Sequence, residues 1–299
     1  MNITMTVPQK LYRYFPLCED KHLERVRCLI SSCMLHAPTP KDFNDPFDCL
    51  LPIFDSKNID PGFIKKLAEA RKSCGGEPRT DGEQQICDGH VTDENLADLR
   101  SSIQERINRA RMICFTECND NILLWSHYAN KHRGVCLEFD IDKWKSHNKV
   151  LQFIQVIYKS NNERPETKLT EESFNTLEFL KGAIFSKSLC WDYEQEWRLA
   201  FDAWKNDDFI KFLPDALTGV FFGVNSTKED KEKILATVED SQCNPQIYDG
   251  SVHESQYMVS FTKRNKRHRL ALTSRPHPGS DAGIGPDGDI VVASHTFGR

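Results

Sequence analysis

Leu124-Trp-Ser-His-Tyr-Ala129, followed by His132 and Gly134, runs into Val135-Cys-Leu-Glu-Phe-Asp140. On a helix, the first segment puts Trp125 and Tyr128 on one face while Ser126 and His127 point elsewhere. The second reads as a strand, with Val135, Leu137 and Phe139 alternating against Cys136, Glu138 and Asp140. Short strands and helices recur unevenly on both sides of this stretch. That pattern predicts an α+β fold of short, mostly antiparallel strands with several helices, rather than a regular parallel α/β sheet.

Upstream, Lys10 to Phe15 alternates as a strand, and a helix over His22 to Ser32 leads into Cys33 to His36. The run Pro38-Thr-Pro-Lys-Asp-Phe-Asn-Asp-Pro46 is a tight, rigid loop. Residues 61 to 112 read mostly as helix, broken by a loop at Cys74 to His90, with Thr92 as N-cap and Leu96, Leu99, Ile103 and Ile107 at helical spacing. Met112 to Thr116 is a strand. Downstream, strands are expected at Leu151 to Tyr158, Trp197 to Phe201, Leu217 to Phe222 and Tyr257 to Phe261. A helix over Glu171 to Phe185, capped by Thr170, carries Phe174, Leu177, Leu180 and Ile184 on one side. A capping box of Ser226 and Glu229 opens another, reaching about Val238. Residues 1–262 are expected to form one domain. Residues 263–299, basic and then rich in Gly and Pro, are expected to form a tail without packed structure.

A hydrophobic fraction of 39% supports a core, and a net charge of −5 gives no whole-molecule argument for nucleic acid or membrane. No stretch approaches the roughly 18 apolar residues of a membrane helix, and the first residues lack the pattern of a signal peptide. The 11 cysteines are irregularly spaced and contain no C-x-x-C pair, which fits buried apolar thiols in a reducing cytoplasm. Cys114 and Cys118 lack a second close pair, so no metal is expected.

Three blocks carry chemistry. In Leu11-Tyr-Arg-Tyr-Phe15, Arg13 stands between two tyrosines and suits a phosphate or carboxylate; Phe43-Asn-Asp-Pro-Phe-Asp48 accompanies it, and its Asn44-Asp45-Pro46 reads chiefly as a structural turn. The second block, Trp125 to Tyr128 with His132, offers either a stacking face with hydroxyls and an imidazole or a buried aromatic helix. The third is Lys187-Ser-Leu-Cys-Trp-Asp-Tyr-Glu-Gln-Glu-Trp-Arg-Leu-Ala-Phe201. Alternation there sets Glu194, Glu196 and Arg198 on one face and Trp197, Leu199 and Phe201 on a core face. The charged face suits general-base work or stabilising a cationic transition state, or is an ion-paired strand surface.

Together these blocks resemble the bacterial family called domain of unknown function (DUF) 2971. Its hallmarks stand here as Leu11-Tyr-Arg-Tyr14, Phe43-Asn-Asp-Pro-Phe-Asp48, Trp125-Ser-His-Tyr-Ala129, Gly134-Val-Cys-Leu-Glu-Phe139 and Tyr193-Glu-Gln-Glu-Trp-Arg198, across about residues 10 to 225. A looser similarity, of sites alone, is to ADP-ribosyltransferases of the Arg-Ser-Glu type. It implies that Arg13 grips the phosphates of NAD and that Ser126 supports the nicotinamide pocket. Glu196 would bond the ribose and stabilise an oxocarbenium-like centre, Glu194 would orient the acceptor, and Trp125, Tyr128 or Tyr193 would stack on the nicotinamide. Ser126 departs from that pattern, standing in an aromatic setting instead of a Ser-Thr-Ser strand.

The expectation is therefore an NAD-consuming transferase or glycohydrolase acting on a protein or nucleic-acid acceptor, in the manner of a toxin or antiviral effector. Glu196, Glu194 and His127 would be its catalytic residues. One alternative is a metal-independent nuclease or phosphodiesterase using His127, His132 and Arg13. Another is a non-catalytic sensor or interaction domain.

Overall fold

A computed structural model of the chain describes residues 6–54, 56–73, 80–147, 151–160, 169–176, 178–201 and 208–265. The first strand, β1 (Lys10–Phe15), forms where alternation predicts it. Helix α1 (Asp20–Ser32) starts slightly earlier than His22, buries Leu23, Val26, Leu29 and Ile30, and stops at Cys33, whose φ of 53° ends it in the left-handed region. β2 (Met34–His36) follows. The helical stretch then holds three helices: α2 (Pro61–Ser73), α3 (Asp81–Cys87) and α4 (Asp93–Ile107). α3 corrects part of the expected Cys74–His90 loop; residues 74–79 lie outside the described residues. Its signal is a cap rather than a periodicity: the Thr80 side chain accepts from the Glu83 N–H. Thr92 caps α4 as expected, accepting from Asn95 N–H at 3.2 Å.

Next come β3 (Arg111–Thr116), α5 (Ile122–Tyr128), β4 (Val135–Asp140) and α6 (Ile141–His147). The strand expected over Leu151–Tyr158 is two strands, β5 (Phe153–Gln155) and β6 (Ile157–Lys159), in different sheets. The chain changes partner at Val156, whose N–H bonds the Glu196 carbonyl while the N–H of Ile157 bonds Phe185. The Glu171–Phe185 helix is likewise α7 (Glu171–Thr176) and α8 (Glu178–Ile184), with Leu177 outside the described residues. β7 (Ser186–Ser188), β8 (Glu196–Phe201), β9 (Phe209–Lys211) and β10 (Leu217–Phe222) lead to α9 (Lys228–Asp240), β11 (Gln246–Val252) and β12 (Val259–Lys263).

Four of the described strands escape sequence reading: β2, β7 and β9 are three residues each, and β11 carries Asp249 and Gly250 in mid-strand. The cap of α9 is Thr227, not Ser226, because Thr227 accepts from Asp230 N–H at 3.1 Å while Ser226 donates back to the Gly134 carbonyl. Replacing Thr227 with Ala should therefore lower stability by about 1 kcal/mol, read from the urea midpoint, whereas Ser226 carries no cap. From Lys266 on, the basic and Gly/Pro-rich tail lies outside the described residues.

The main sheet runs β12-β11-β10-β4-β1-β3-β8-β5, and every neighbouring pair is antiparallel except β10 with β11. This is an α+β fold. β1 and β4 pair along their whole length, but β1 and β3 share only Tyr12 with Thr116. Past that point the two central strands part, and Arg13 and Tyr14 no longer face ladder partners on β3. Around Phe139, an aromatic core of Phe115, Trp144, Phe153 and Phe212 fills the space beneath the sheet. A second core lies among α2, α3 and α4 and takes in Met112 and Leu169. No helix among the described residues is long and apolar enough to cross a membrane.

Candidate functional site

The 3-10 turn Leu189–Glu194 and the strand after it build one wall of the site. Gln195 takes the left-handed conformation at φ 43°, which lets the chain leave the turn and enter β8 at Glu196. Both carboxylates of the Glu-Gln-Glu element end inside the protein, each side chain about 5% exposed. Lys187 reaches from β7 to Glu194 at 2.6 Å and to Glu196 at 3.4 Å. Arg198 is fully buried; it clasps Glu196 through Nε at 2.7 Å and Nη2 at 3.1 Å, and bonds Asp48 at 2.7 Å. Glu194 also accepts from the Tyr128 hydroxyl at 2.6 Å, and that hydroxyl accepts from the Asn44 amide at 3.2 Å.

Three acids (Asp48, Glu194, Glu196) meet two cations (Lys187, Arg198), so one negative charge in this buried network is surplus. The environments of the two glutamates push them apart. Burial alone would raise Glu196, but the Arg198 fork and Lys187 overcome it and hold the carboxyl down to about 2. Burial raises Glu194, Glu196 adds to the rise, and Lys187 and Tyr128 only partly offset it. Two carboxyls separated in this way divide the work of a site: one stays ionised, the other exchanges protons. Burial would lower Lys187, yet the three carboxylates together carry it above its ordinary value.

The gap between β1 and β3 opens into a cavity of about 400 Å³ lined by Arg13, His127, Tyr128, Lys187, Glu194 and Glu196, with Tyr12 and Phe43 among its further walls. Arg13 forms no ion pair among the described residues. Its polar contact is a long one, 3.5 Å to the Cys114 carbonyl, and its guanidinium lies 5.5 Å from the Phe15 ring centre. Burial lowers its pKa; Cys114 offsets part of that, Arg25 nearby lowers it further, and Glu196 raises it least.

Residues 124–199 match the family described as protein of unknown function (DUF2971). No curated protein and no solved structure matches the chain. The DUF2971 segment brings His127, Tyr128, Lys187, Glu194, Glu196 and Arg198 to the site; Arg13 and Asp48 come from outside it.

Of the sequence-predicted residues, Arg13, His127, Tyr128, Glu194 and Glu196 converge on the cavity. Trp125 and Ser126, both within the DUF2971 segment, do not. Trp125 is fully buried, its indole N–H bonds the Asn119 carbonyl at 2.8 Å, and Tyr14 meets it edge-on, so no face is free to stack on a ligand. Ser126 turns its hydroxyl back to the Ile122 carbonyl at 2.8 Å and lies 3.3 Å from His132 Nε2. His132 itself stacks on Trp125 away from the cavity. Tyr193 does not line the cavity either; it is half-buried beside His127, 6.4 Å between ring centres. Arg198 bonds Glu196 of the acidic pair, as their shared strand face predicts.

Asp48 and Lys187 line the cavity yet went unrecognised as site residues, although Asp48 closes the Asn-Asp-Pro-Phe-Asp motif and Lys187 opens the third block. Asp48 lies 150 residues from its partner Arg198, beyond the reach of local spacing, whereas Lys187 stands seven residues from Glu194 and nine from Glu196 and so carried a local signal. Apart from these walls, Cys18, Glu19 and His22 hold ligand-type atoms within 4.8 Å of one another.

Proposed function

We propose that the cavity takes NAD and breaks the bond between its ribose and nicotinamide, passing the ADP-ribosyl group to water or to a hydroxyl-bearing acceptor. The observation that carries this reading is the charge layout: an unpaired guanidinium and a buried acidic network with one surplus negative charge share one cavity. A ligand with an anionic phosphate and a cationic ring answers both. Arg13 would take the phosphate through its planar fork. Glu194 would stand at the ribose. As the C1′–N bond breaks, its electron pair leaves with nicotinamide, which departs neutral, and C1′ becomes cationic beside the carboxylate. The incoming oxygen attacks C1′ and loses its proton to Glu194, which releases it to solvent. Glu196 differs from the role expected for it: both its oxygens are committed to Arg198 and Lys187, so it acts as a positioning residue.

The phosphodiesterase reading asks for two imidazoles at the cavity, and among the described residues His127 alone supplies one. The described cysteines are all free, which supports a reducing compartment such as the cytoplasm.

The test is release of nicotinamide from NAD, with thermal stabilisation by NAD as the binding readout. Arg13→Ala should raise KM by about 10- to 100-fold, the worth of a charged hydrogen bond, and affect kcat less. Absence of both nicotinamide release and thermal stabilisation in the wild-type protein overturns the reading.

A further inference from the structure

Trp191, Tyr193 and Glu194 belong to one six-residue 3-10 turn. Residues three apart eclipse on such a turn, so Trp191 and Glu194 share a side. Lys187 ties the two together: its ammonium lies 4.7 Å from the Trp191 ring centre and 2.6 Å from Glu194. Trp191 and Tyr193 are half-buried, with ring centres 6.0 Å apart, and the exposed, cavity-lining His127 lies 6.5 Å from Trp191. His127 lines the cavity with Glu194, and Trp191 and Tyr193, just outside its lining, stand against His127 on the turn that carries that carboxylate. Trp125 was the ring expected to serve a ligand, and it is sealed in the core.

We propose that Trp191, with Tyr193 and His127 beside it, is the seat for the ligand's aromatic ring, so that the site recognises a ring-bearing nucleotide and not a phosphate sugar alone. The proposal rests on the reading of Arg13 as a phosphate holder and Glu194 as the reacting group. A ring seated on this turn lies next to Glu194, and the ribose between ring and phosphate then falls across the carboxylate. Tryptophan suits the task because its large π surface offers a broad stacking area for a base or pyridine ring.

Calorimetric titration of the full chain with nicotinamide mononucleotide and with ribose 5-phosphate, which lacks the ring, tests this. Wild-type protein should bind the mononucleotide at least about tenfold more tightly, as one base-aromatic stack provides. Trp191→Leu keeps apolar bulk without a π face and should bring the two affinities together, leaving ribose 5-phosphate unchanged. Trp191→Phe should restore most of the difference. A wild-type ratio near one, or a ratio that survives Trp191→Leu, overturns the proposal. Ring-dependent binding without nicotinamide release from NAD sinks the proposed reaction and leaves the ring seat standing; no binding of either ligand ends both.

Discussion

Arg198→Met is expected to lower the stability of the protein by about 3–5 kcal/mol, the range for removing one partner from a buried ion pair. Methionine preserves much of the side chain's length and packing and deletes the charge together with its N–H donors. What remains is Glu196, Asp48 and Glu194 around Lys187 alone, which lies 3.4 Å from Glu196 and 3.7 Å from Asp48. The Ile184 carbonyl, also bonded by Arg198, loses its donor. The pH dependence gives a second signature. A carboxyl brought from 4.5 to about 2 on folding contributes about 3 kcal/mol, fully present above its unfolded value and lost as pH falls towards 2. Glu194 runs the other way: its raised folded pKa means the folded state gains the proton first, so its contribution grows as pH falls. In the variant the Glu196 part of the acid limb should disappear and the Glu194 part should remain. Urea unfolding at pH 7 and pH 4 measures both; a variant within 1 kcal/mol of wild type at pH 7 would show that the network does not hold the fold.

What could be read from the sequence was whatever depends on neighbours along the chain. The alternation of Lys10–Phe15 and of Val135–Asp140 exposed the two central strands, and the spacing of Leu96, Leu99 and Ile107 exposed α4. Glu194, Glu196 and Arg198 were legible as one charged face for the same reason. The splitting of Leu151–Tyr158 was not legible, because it arises when Glu196 and Phe185 compete for consecutive N–H groups from distant chain positions. Trp125 misled because an aromatic residue on a short helix has the same sequence whether it faces a ligand or the core. Its fate is decided by Tyr14, His132 and Phe261, which close on it from other elements. Arg13 was legible as a strand residue between two tyrosines, but its want of an ion-pair partner among the described residues was not. The separation of β1 from β3 after Tyr12, which leaves its guanidinium without a carboxylate, has no local signature.

Glu194→Gln is expected to reduce nicotinamide release by about 10²- to 10⁴-fold, the usual worth of a positioned general base, while leaving the protein folded. The amide keeps the shape and can still accept from Tyr128, and Lys187 retains Glu196 and Asp48 as partners. The substitution also removes the surplus buried charge, so stability at neutral pH should hold or rise. This separates the prediction from any structural explanation, since a variant that is inactive because it is unfolded would melt early. In the wild-type protein the rate should fall on the acid side as Glu194 gains its proton, at a pH above the ordinary glutamate value because burial and Glu196 raise it. Glu194→Gln should abolish that limb, and Glu194→Asp should keep a weakened version of it. Glu196→Gln makes the contrast: it should lower stability together with activity, because its oxygens hold the Arg198 fork. A Glu194→Gln protein that releases nicotinamide at the wild-type rate would remove the carboxylate from the reaction and move the chemistry elsewhere in the cavity.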